Sequence, residues 1–335
     1  MILASSTKIA PLSAVNYTHD EVVGLIKQQS GELPQVELAY EPEIKTLWIT
    51  LAPEPRPVFT LEMMTSLNKV QRAVHALWSP DDYSRSPIRF VSHLGKASNP
   101  VVTLGGDLEF YIECLAKSDL AGLEEYARIS IENIKWNASS LRGAAITTAS
   151  VHALALGGGI DAPRSCNVMI AERRASFSYP EIKFNHFPIS AVAVLSRVVG
   201  PRAAQEILTS GKEYPAEEFA RLGALDAVVD DGGGADWLRR YAKENLKTHR
   251  ARLALFRAFY EQSGAAFEEE LTRLAKHWTD HIIHLTPLEI SALQKIISAQ
   301  DMFLSRLFKT AAQPQVAQGR HQRGGARKAD GGDAP

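Results

Sequence analysis

Two acidic residues, Asp161 and Glu181, stand behind a run of three glycines, Gly157-Gly158-Gly159, and a second glycine pair, Gly105-Gly106, lies upstream. Residue types in this order suit one kind of chemistry. Glycine has no Cβ, so its backbone N–H can approach a ligand closely, and a glycine run leading into a helix turns those donors outward. Such donors stabilise an oxygen that gains negative charge, and a nearby carboxylate can move the proton whose removal creates that charge.

Those residues need elements to hold them. The run Leu154 to Pro163 has the signature of a helix start, because an acidic residue and then proline follow the glycines, and this places Asp161 near a helix N-terminus. Residues 88–104 carry the apolar pieces Phe90-Val91 and Val101-Val102 and end in Gly105-Gly106-Asp107, a strand running into a turn. Residues 144–156 are apolar enough to be one buried strand leading to the glycines. Downstream, residues 167–171 and 175–179 read as two short strands, and the second delivers Glu181 just after Pro180. Two strand-end loops are expected to converge on one pocket.

Three motifs, Leu104-Gly105-Gly106-Asp107, Ala155-Leu156-Gly157-Gly158-Gly159-Ile160-Asp161 and Tyr179-Pro180-Glu181-Ile182, resemble the crotonase (enoyl-CoA hydratase/isomerase) superfamily over roughly residues 34–308. The resemblance implies an α/β fold, a crotonase-like spiral of ββα units with a C-terminal helical region. The segments Pro55-Arg56-Pro57-Val58-Phe59-Thr60 and Thr103-Leu104-Gly105-Gly106-Asp107-Leu108 look most like the diffusible signal factor synthase subgroup. That subgroup implies dehydration of a medium-chain 3-hydroxyacyl thioester on acyl carrier protein to a cis-2-enoyl product, with thioester hydrolysis to the free acid. Carried over by position, the oxyanion-hole N–H groups fall on Gly106 and Gly158 and the catalytic carboxylates on Asp161 and Glu181. Leu104, Gly105, Gly157 and Arg56 are assigned to substrate or carrier binding, Arg56 because many family members place a basic residue near the carrier's phosphates. Acyl carrier protein and CoA present the same phosphopantetheine arm, so either thioester can be the substrate partner. A homotrimer or other homo-oligomer is implied as well, and no cofactor.

The chemistry explains why these parts belong together. Removing a proton α to a thioester makes an enolate whose oxygen needs fixed donors, each worth about 3–4 kcal/mol of transition-state stabilisation. An acid must assist the departing 3-hydroxyl, so one carboxyl needs a pKa lifted towards neutrality by burial, and Glu181 is assigned that part. Asp161, with a lower intrinsic pKa and a helix N-terminus favouring its ionised form, is the better base or water orienter. It departs from the family, which carries glutamate there, and is shorter by one C–C bond, roughly 1.5 Å of reach. Two other functions follow from that departure: a hydratase or isomerase of general metabolism in which Glu181 alone shuttles the proton, and a crotonase-fold binding protein that regulates a partner without turnover.

Composition narrows the setting. The chain has 335 residues and a formal net charge of -1, which supplies no overall field for nucleic acid or an anionic membrane, and neither is expected as a partner. Its two cysteines, Cys114 and Cys166, are far apart, and no secretory signal or apolar run of membrane-spanning length occurs, which favours a reducing cytoplasm. Cys166 reads as a buried inert thiol. His277, His281 and His284 share one helix face but lack a third-segment ligand, so no metal site is assigned. His186 lies on the loop of Glu181 and could adjust a neighbouring carboxylate.

The organisation expected is an N-terminal extension over residues 1–33 with one helix, a catalytic core over 34–234, a helical covering and oligomerisation region over 235–312, and a disordered tail over 313–335. Within the core a hairpin is read over residues 36–51 and helices over 60–77, 120–139, 191–199 and 201–211. The helical region is expected to break near Gly264 and Pro287.

Overall fold

The computed structural model describes residues 17–78, 83 and 85–311; the first part of the expected extension and the expected disordered tail lie outside them. Helix α1 (His19–Ser30) opens with a capping box, in which the Thr18 hydroxyl accepts the Glu21 N–H and the Glu21 carboxylate accepts the Thr18 N–H. Its face of Val22, Val23 and Ile26 is buried against the next elements. The expected hairpin is β1 (Val36–Glu41) and β2 (Thr46–Leu51), antiparallel with Val36 opposite Leu51. Helix α2 (Leu61–Leu77) follows, capped by the Thr60 hydroxyl on the Met63 N–H, and buries Met63, Leu67, Val70 and Val74 at helical spacing.

Three similar passages come next. Strand β3 (Phe90–Gly95) leads to β4 (Val101–Thr103), α3 (Leu108–Lys117) and α4 (Leu120–Ala138). A tight segment α5 (Ser140–Gly143), with Leu141 and Arg142 in the left-handed region, leads to β5 (Ile146–Val151), β6 (Leu154–Leu156) and α6 (Gly158–Arg164). Strand β7 (Val168–Glu172) leads to β8 (Ser176–Ser178), a 3-10 turn over Pro180–Phe184, α7 (Ala191–Val199) and α8 (Pro201–Ser210). Each passage places a long strand in one sheet and a short strand in a second before its helix, the ββα spiral. The first sheet has the order β1-β2-β3-β5-β7-β10, with β10 formed by Ala227–Val229, and all its pairings except β1 with β2 are parallel. The second is β4-β6-β8-β9, antiparallel only where β9 (Glu213–Pro215) joins. After β9 come α9 (Ala216–Arg221), β10 (Ala227–Val229), α10 (Gly234–Asn245), α11 (His249–Ile282) and α12 (Pro287–Ala311).

Three sequence expectations change here, the first being the strand expected over residues 88–104, which is β3 and β4 in different sheets. The single strand over residues 144–156 is two strands in different sheets, because the chain corners at His152. There the Arg174 guanidinium donates to the His152 carbonyl at 2.8 Å, and the His152 ring bonds the Asn99 carbonyl at 3.0 Å, so side chains satisfy backbone groups that a ladder would otherwise pair. The helix also does not break at Gly264. Helix α11 runs through it for 34 residues, because a long buried face including Phe267, Leu271, Ala275, Trp278 and Ile282 outweighs the ~1 kcal/mol propensity cost of one glycine. The break falls between α10 and α11 instead, and the one at Pro287 stands as the start of α12.

Packing sets the sheets against the helices. Helix α2 covers Leu47, Ile49 and Val91 of the first sheet, while Phe90, Ile146 and Ile170 on the sheet meet Leu238 of α10 and Leu253 of α11. Ile160, Met169, Phe177 and Phe219 fill the space around α6 between the sheets, and a helical core of Tyr111, Tyr126, Leu271 and Trp278 joins α3, α4 and α11. Among the described residues no helix is long and apolar enough to cross a membrane.

One buried residue of α4 ties several layers together. Asn137 accepts the Gln71 amide of α2 at 2.9 Å, donates to the Ala162 carbonyl of α6 at 3.1 Å and to the Ser165 hydroxyl at 3.2 Å, and its carbonyl accepts the Thr147 hydroxyl of β5. Asn137→Ala should therefore lower unfolding free energy by about 2–3 kcal/mol, since it strips partners from buried polar groups. Urea unfolding measures this, and a loss under about 0.5 kcal/mol would show that the network carries no stability.

Candidate active site

The second sheet ends at a cavity of about 570 Å³. Its near wall is the ends of β4 and β6, where Leu104, Gly105, Gly106, Leu156, Gly157 and Gly158 line it; its far wall is helical, with Tyr111, Tyr126, Ile134, Trp278 and Phe303. Glu181 and His186 face it from the segment after β8. Of the residues singled out in the sequence, the cavity thus gathers Leu104, Gly105, Gly106, Gly157, Gly158, Glu181 and His186. Asp161 and Arg56 are not among its lining residues.

Two of the glycines are required by contact. At Gly157, φ is +54°, which disfavours other residues, and a Cβ would overlap Oε1 of Glu181. At Gly106 a Cβ would overlap the Tyr111 hydroxyl. Gly158 begins α6, where the first N–H groups have no acceptor within the helix. Gly106 is held by a parallel bridge to Phe59, and the Leu104 N–H donates to the Pro57 carbonyl at 2.7 Å. Tyr126 fastens the same corner: its hydroxyl donates to the Phe59 carbonyl at 2.6 Å and accepts the Asp107 N–H at 3.1 Å.

Glu181 is only 8% exposed, and its Oε2 is buried without a hydrogen-bond partner. Burial pushes its carboxyl up to about 8; its own backbone N–H opposes that rise, the charge of Asp161 adds to it, and the Gly158 N–H opposes it. Asp161 is fully buried in α6, with Oδ1 accepting the Tyr179 hydroxyl at 2.6 Å and Oδ2 accepting the Ser190 hydroxyl at 2.7 Å. Burial lifts it to about 7 against both hydroxyls. Desolvation thus works against the ionised aspartate expected from a helix N-terminus, more strongly than the two hydroxyl donors work for it.

His186 has a fixed tautomer. Trp278 can only donate through its indole N–H, and it does so to Nε2 of His186 at 3.1 Å, so the neutral ring carries its proton on Nδ1. Burial, with His281 stacked beside it, holds the ring down at about 3. His281 in turn bonds the Asn185 carbonyl at 2.9 Å, while His277 is exposed. Arg56 is enclosed by α3 and α12: its guanidinium pairs with Glu109 at 3.0 Å and Asp301 at 3.2 Å and donates to Gln300 at 2.6 Å. Those partners occupy the group that the sequence assigned to a phosphate.

Sequence reasoning did not single out Tyr111, Trp278, Tyr179 or Ser190. Tyr111 lies three residues after Leu108 on the buried face of α3, a spacing that marks an inward position but not a cavity. Tyr179 is inside the motif that carries Glu181, and its role depends on an acceptor 18 residues away.

A family model described as enoyl-CoA hydratase/isomerase matches residues 121–300. The chain is 29% identical over 201 residues to the mevalonyl-coenzyme A hydratase SIDH of Beauveria bassiana, a match covering 57% of this chain and 70% of that protein. It is 26% identical over 196 residues to a putative enoyl-CoA hydratase of Thermus thermophilus, covering 58% and 72% respectively. The crystal structure of an enoyl-CoA hydratase from Bacillus halodurans superposes with a TM-score of 0.67 at 21% identity, over 78% of this chain and 99% of that one, which shows the shared fold. With the family model spanning more than half of the sequence and the ββα spiral repeated in the structure, the chain belongs to the enoyl-CoA hydratase/isomerase family of the crotonase superfamily.

Proposed function

We propose that the protein removes the proton at the carbon α to the carbonyl of an acyl thioester and delivers it elsewhere on the same substrate, with Glu181 as the single proton carrier in the cavity. The observation that carries this reading is the unpartnered, buried Oε2 of Glu181 on a largely apolar cavity whose near wall holds Gly106 and Gly158. The N–H groups of those glycines serve the thioester oxygen as the enolate forms, and burial keeps the carboxyl near neutrality, where it can both accept and give a proton. A two-carboxylate hydration needs a second group facing the substrate, and both oxygens of Asp161 are engaged elsewhere.

One carboxyl suffices for two reactions. In double-bond migration Glu181 takes a proton from one carbon and returns it to another. In dehydration of a 3-hydroxyacyl thioester it takes the α-proton and passes it to the departing hydroxyl, so that water and the enoyl thioester leave. The named CoA enzymes among the relatives support a CoA thioester. Acyl carrier protein as carrier, a medium-chain cis-2-enoyl product and hydrolysis to the free acid form a second reading. It rests on the resemblance of the two signal-synthase-like segments, which meet at the cavity wall where Pro57 pairs with Leu104 and Phe59 with Gly106. Exposed Leu255 and Phe259 on α11 and Leu288 and Met302 on α12 suit a homo-oligomer.

Product analysis by mass spectrometry after incubation with 3-hydroxydodecanoyl thioesters of CoA and of acyl carrier protein tests both readings. An enoyl thioester from CoA supports the first, a cis-2-enoic free acid from the carrier protein supports the second, and tight partner binding with no product from either would replace both with a binding function. Glu181→Gln keeps the shape and removes proton transfer, so turnover should fall by about 10²–10⁴-fold; unchanged turnover would sink the reading.

The pH dependence has a definite sign. Only the ionised carboxyl abstracts a proton, so kcat/KM for α-proton removal should rise with pH and level off above about 8. The folded protein holds the Glu181 proton more tightly than the unfolded chain does, so this group's contribution to stability is full below the unfolded value of 4.5 and is lost as pH rises through about 8. Glu181→Gln, which stays neutral, should gain thermal stability relative to the wild type across that window, and an equal gain at pH 4 would contradict the assignment.

Gly157→Ala introduces a Cβ against the Glu181 carboxylate and strains a left-handed residue. The expected result is a kcat loss on the order of 100-fold from misplacement of the carboxyl. Steady-state kinetics with the same thioesters would reveal it, and near-wild-type kcat would mean that Glu181 needs no fixed position.

A further inference from the structure

Asp161 sits in the sequence motif of the site but outside the lining of its cavity. Each of its oxygens holds one hydroxyl, and those two hydroxyls come from the two ends of one segment. Tyr179 immediately precedes Pro180, and Ser190 immediately precedes α7. Between them the chain carries Glu181 and His186, together with Lys183, Phe184 and Phe187, all on the cavity wall. Asp161 belongs to α6, the helix that begins at Gly158, and that helix is itself anchored by the Asn137 amide on the Ala162 carbonyl. One buried carboxylate therefore registers the segment bearing Glu181 against the helix bearing Gly158.

We propose that Asp161 is a positioning residue, a two-point clamp that fixes the Tyr179–Ser190 segment on α6 and exchanges no proton with substrate. The proposal rests on the reading of Glu181 as the proton carrier, whose distance from the thioester the clamp would set. It also gives the aspartate a reason. The site between Tyr179 and Ser190 is fully enclosed, with hydroxyls at 2.6 and 2.7 Å, and a glutamate, longer by one C–C bond, does not fit between them without moving one end of the segment.

The decisive variants are Asp161→Glu, Asp161→Asn, Asp161→Ala and the donor pair Tyr179→Phe and Ser190→Ala. Turnover of 3-hydroxydodecanoyl-CoA and backbone hydrogen exchange are followed on folded protein. A clamp predicts that Asp161→Glu, although it restores the residue common in the family, lowers kcat at least tenfold with KM changed less than threefold. Asp161→Asn, which keeps the shape and one acceptor, should retain kcat within about tenfold, far above Glu181→Gln. Tyr179→Phe with Ser190→Ala should lower kcat as Asp161→Ala does, and adding them to Asp161→Ala should cost little more. Amides of residues 179–190 should exchange at least tenfold faster in Asp161→Ala while those of α1 are unchanged.

A direct catalytic role would instead make Asp161→Asn as inactive as Glu181→Gln and Asp161→Glu as active as wild type, with segment exchange unchanged, and any of these overturns the clamp. Failure of the Glu181 reading looks different: Glu181→Gln would keep its turnover while the exchange result still reports the clamp. The exchange measurement needs no substrate and so decides the clamp even for a thioester that the wild type does not turn over.

Discussion

A carboxyl that must trade protons near neutrality has to be kept from water without being given a partner that fixes its charge. Glu181, in the role proposed for it, meets that constraint. Apolar side chains from both the sheet ends and the helices enclose it, and burial raises its affinity for a proton more than the neighbouring N–H groups lower it. The same dryness strengthens the glycine N–H donors, since a dipole acts further where no water screens it. Opening this cavity to solvent would weaken the proposed proton carrier and its proposed donors together.

Two acidic residues, carried by two of the motifs, meet different fates under that constraint. Glu181 keeps an oxygen without a partner, whereas Asp161 is tied by two hydroxyls, and its nearby charge is one of the influences that hold the Glu181 proton in place. Arg56 shows the complementary case: a partly buried cation is satisfied by acceptors around it, which Glu109, Asp301 and Gln300 supply.

The sequence made legible whatever depends on local residue type. Glycines at Gly106 and Gly157 announce close approach, the periodicity of residues 60–77 announces a helix, and the alternation of residues 36–51 announces a hairpin; the structure has each of these. Corners and long-range partners were not legible. The apolar run of residues 144–156 gives no sign of the turn at His152, because a run buried on both sides has no period to break. Composition could not show that Asp161 would find Tyr179 and Ser190, or that Arg56 would find α12, since those contacts exist only once distant segments are packed. The length of α11 was missed for a related reason: tertiary burial, not local propensity, carries the helix across Gly264.

The lining of the cavity draws on Phe59 from the early part of the chain and on Ile296, Gln300 and Phe303 from α12, and the Arg56–Gln300 hydrogen bond spans 244 positions of sequence. During synthesis the sheets and their glycine corners emerge well before that closing helix. A nascent chain would then hold Glu181 and both glycine donors in a half-open, wetted trough, with Arg56 lacking its α12 partners. The enclosure of the Glu181 carboxyl is consequently among the last properties the polypeptide acquires, since α12 completes the cavity wall.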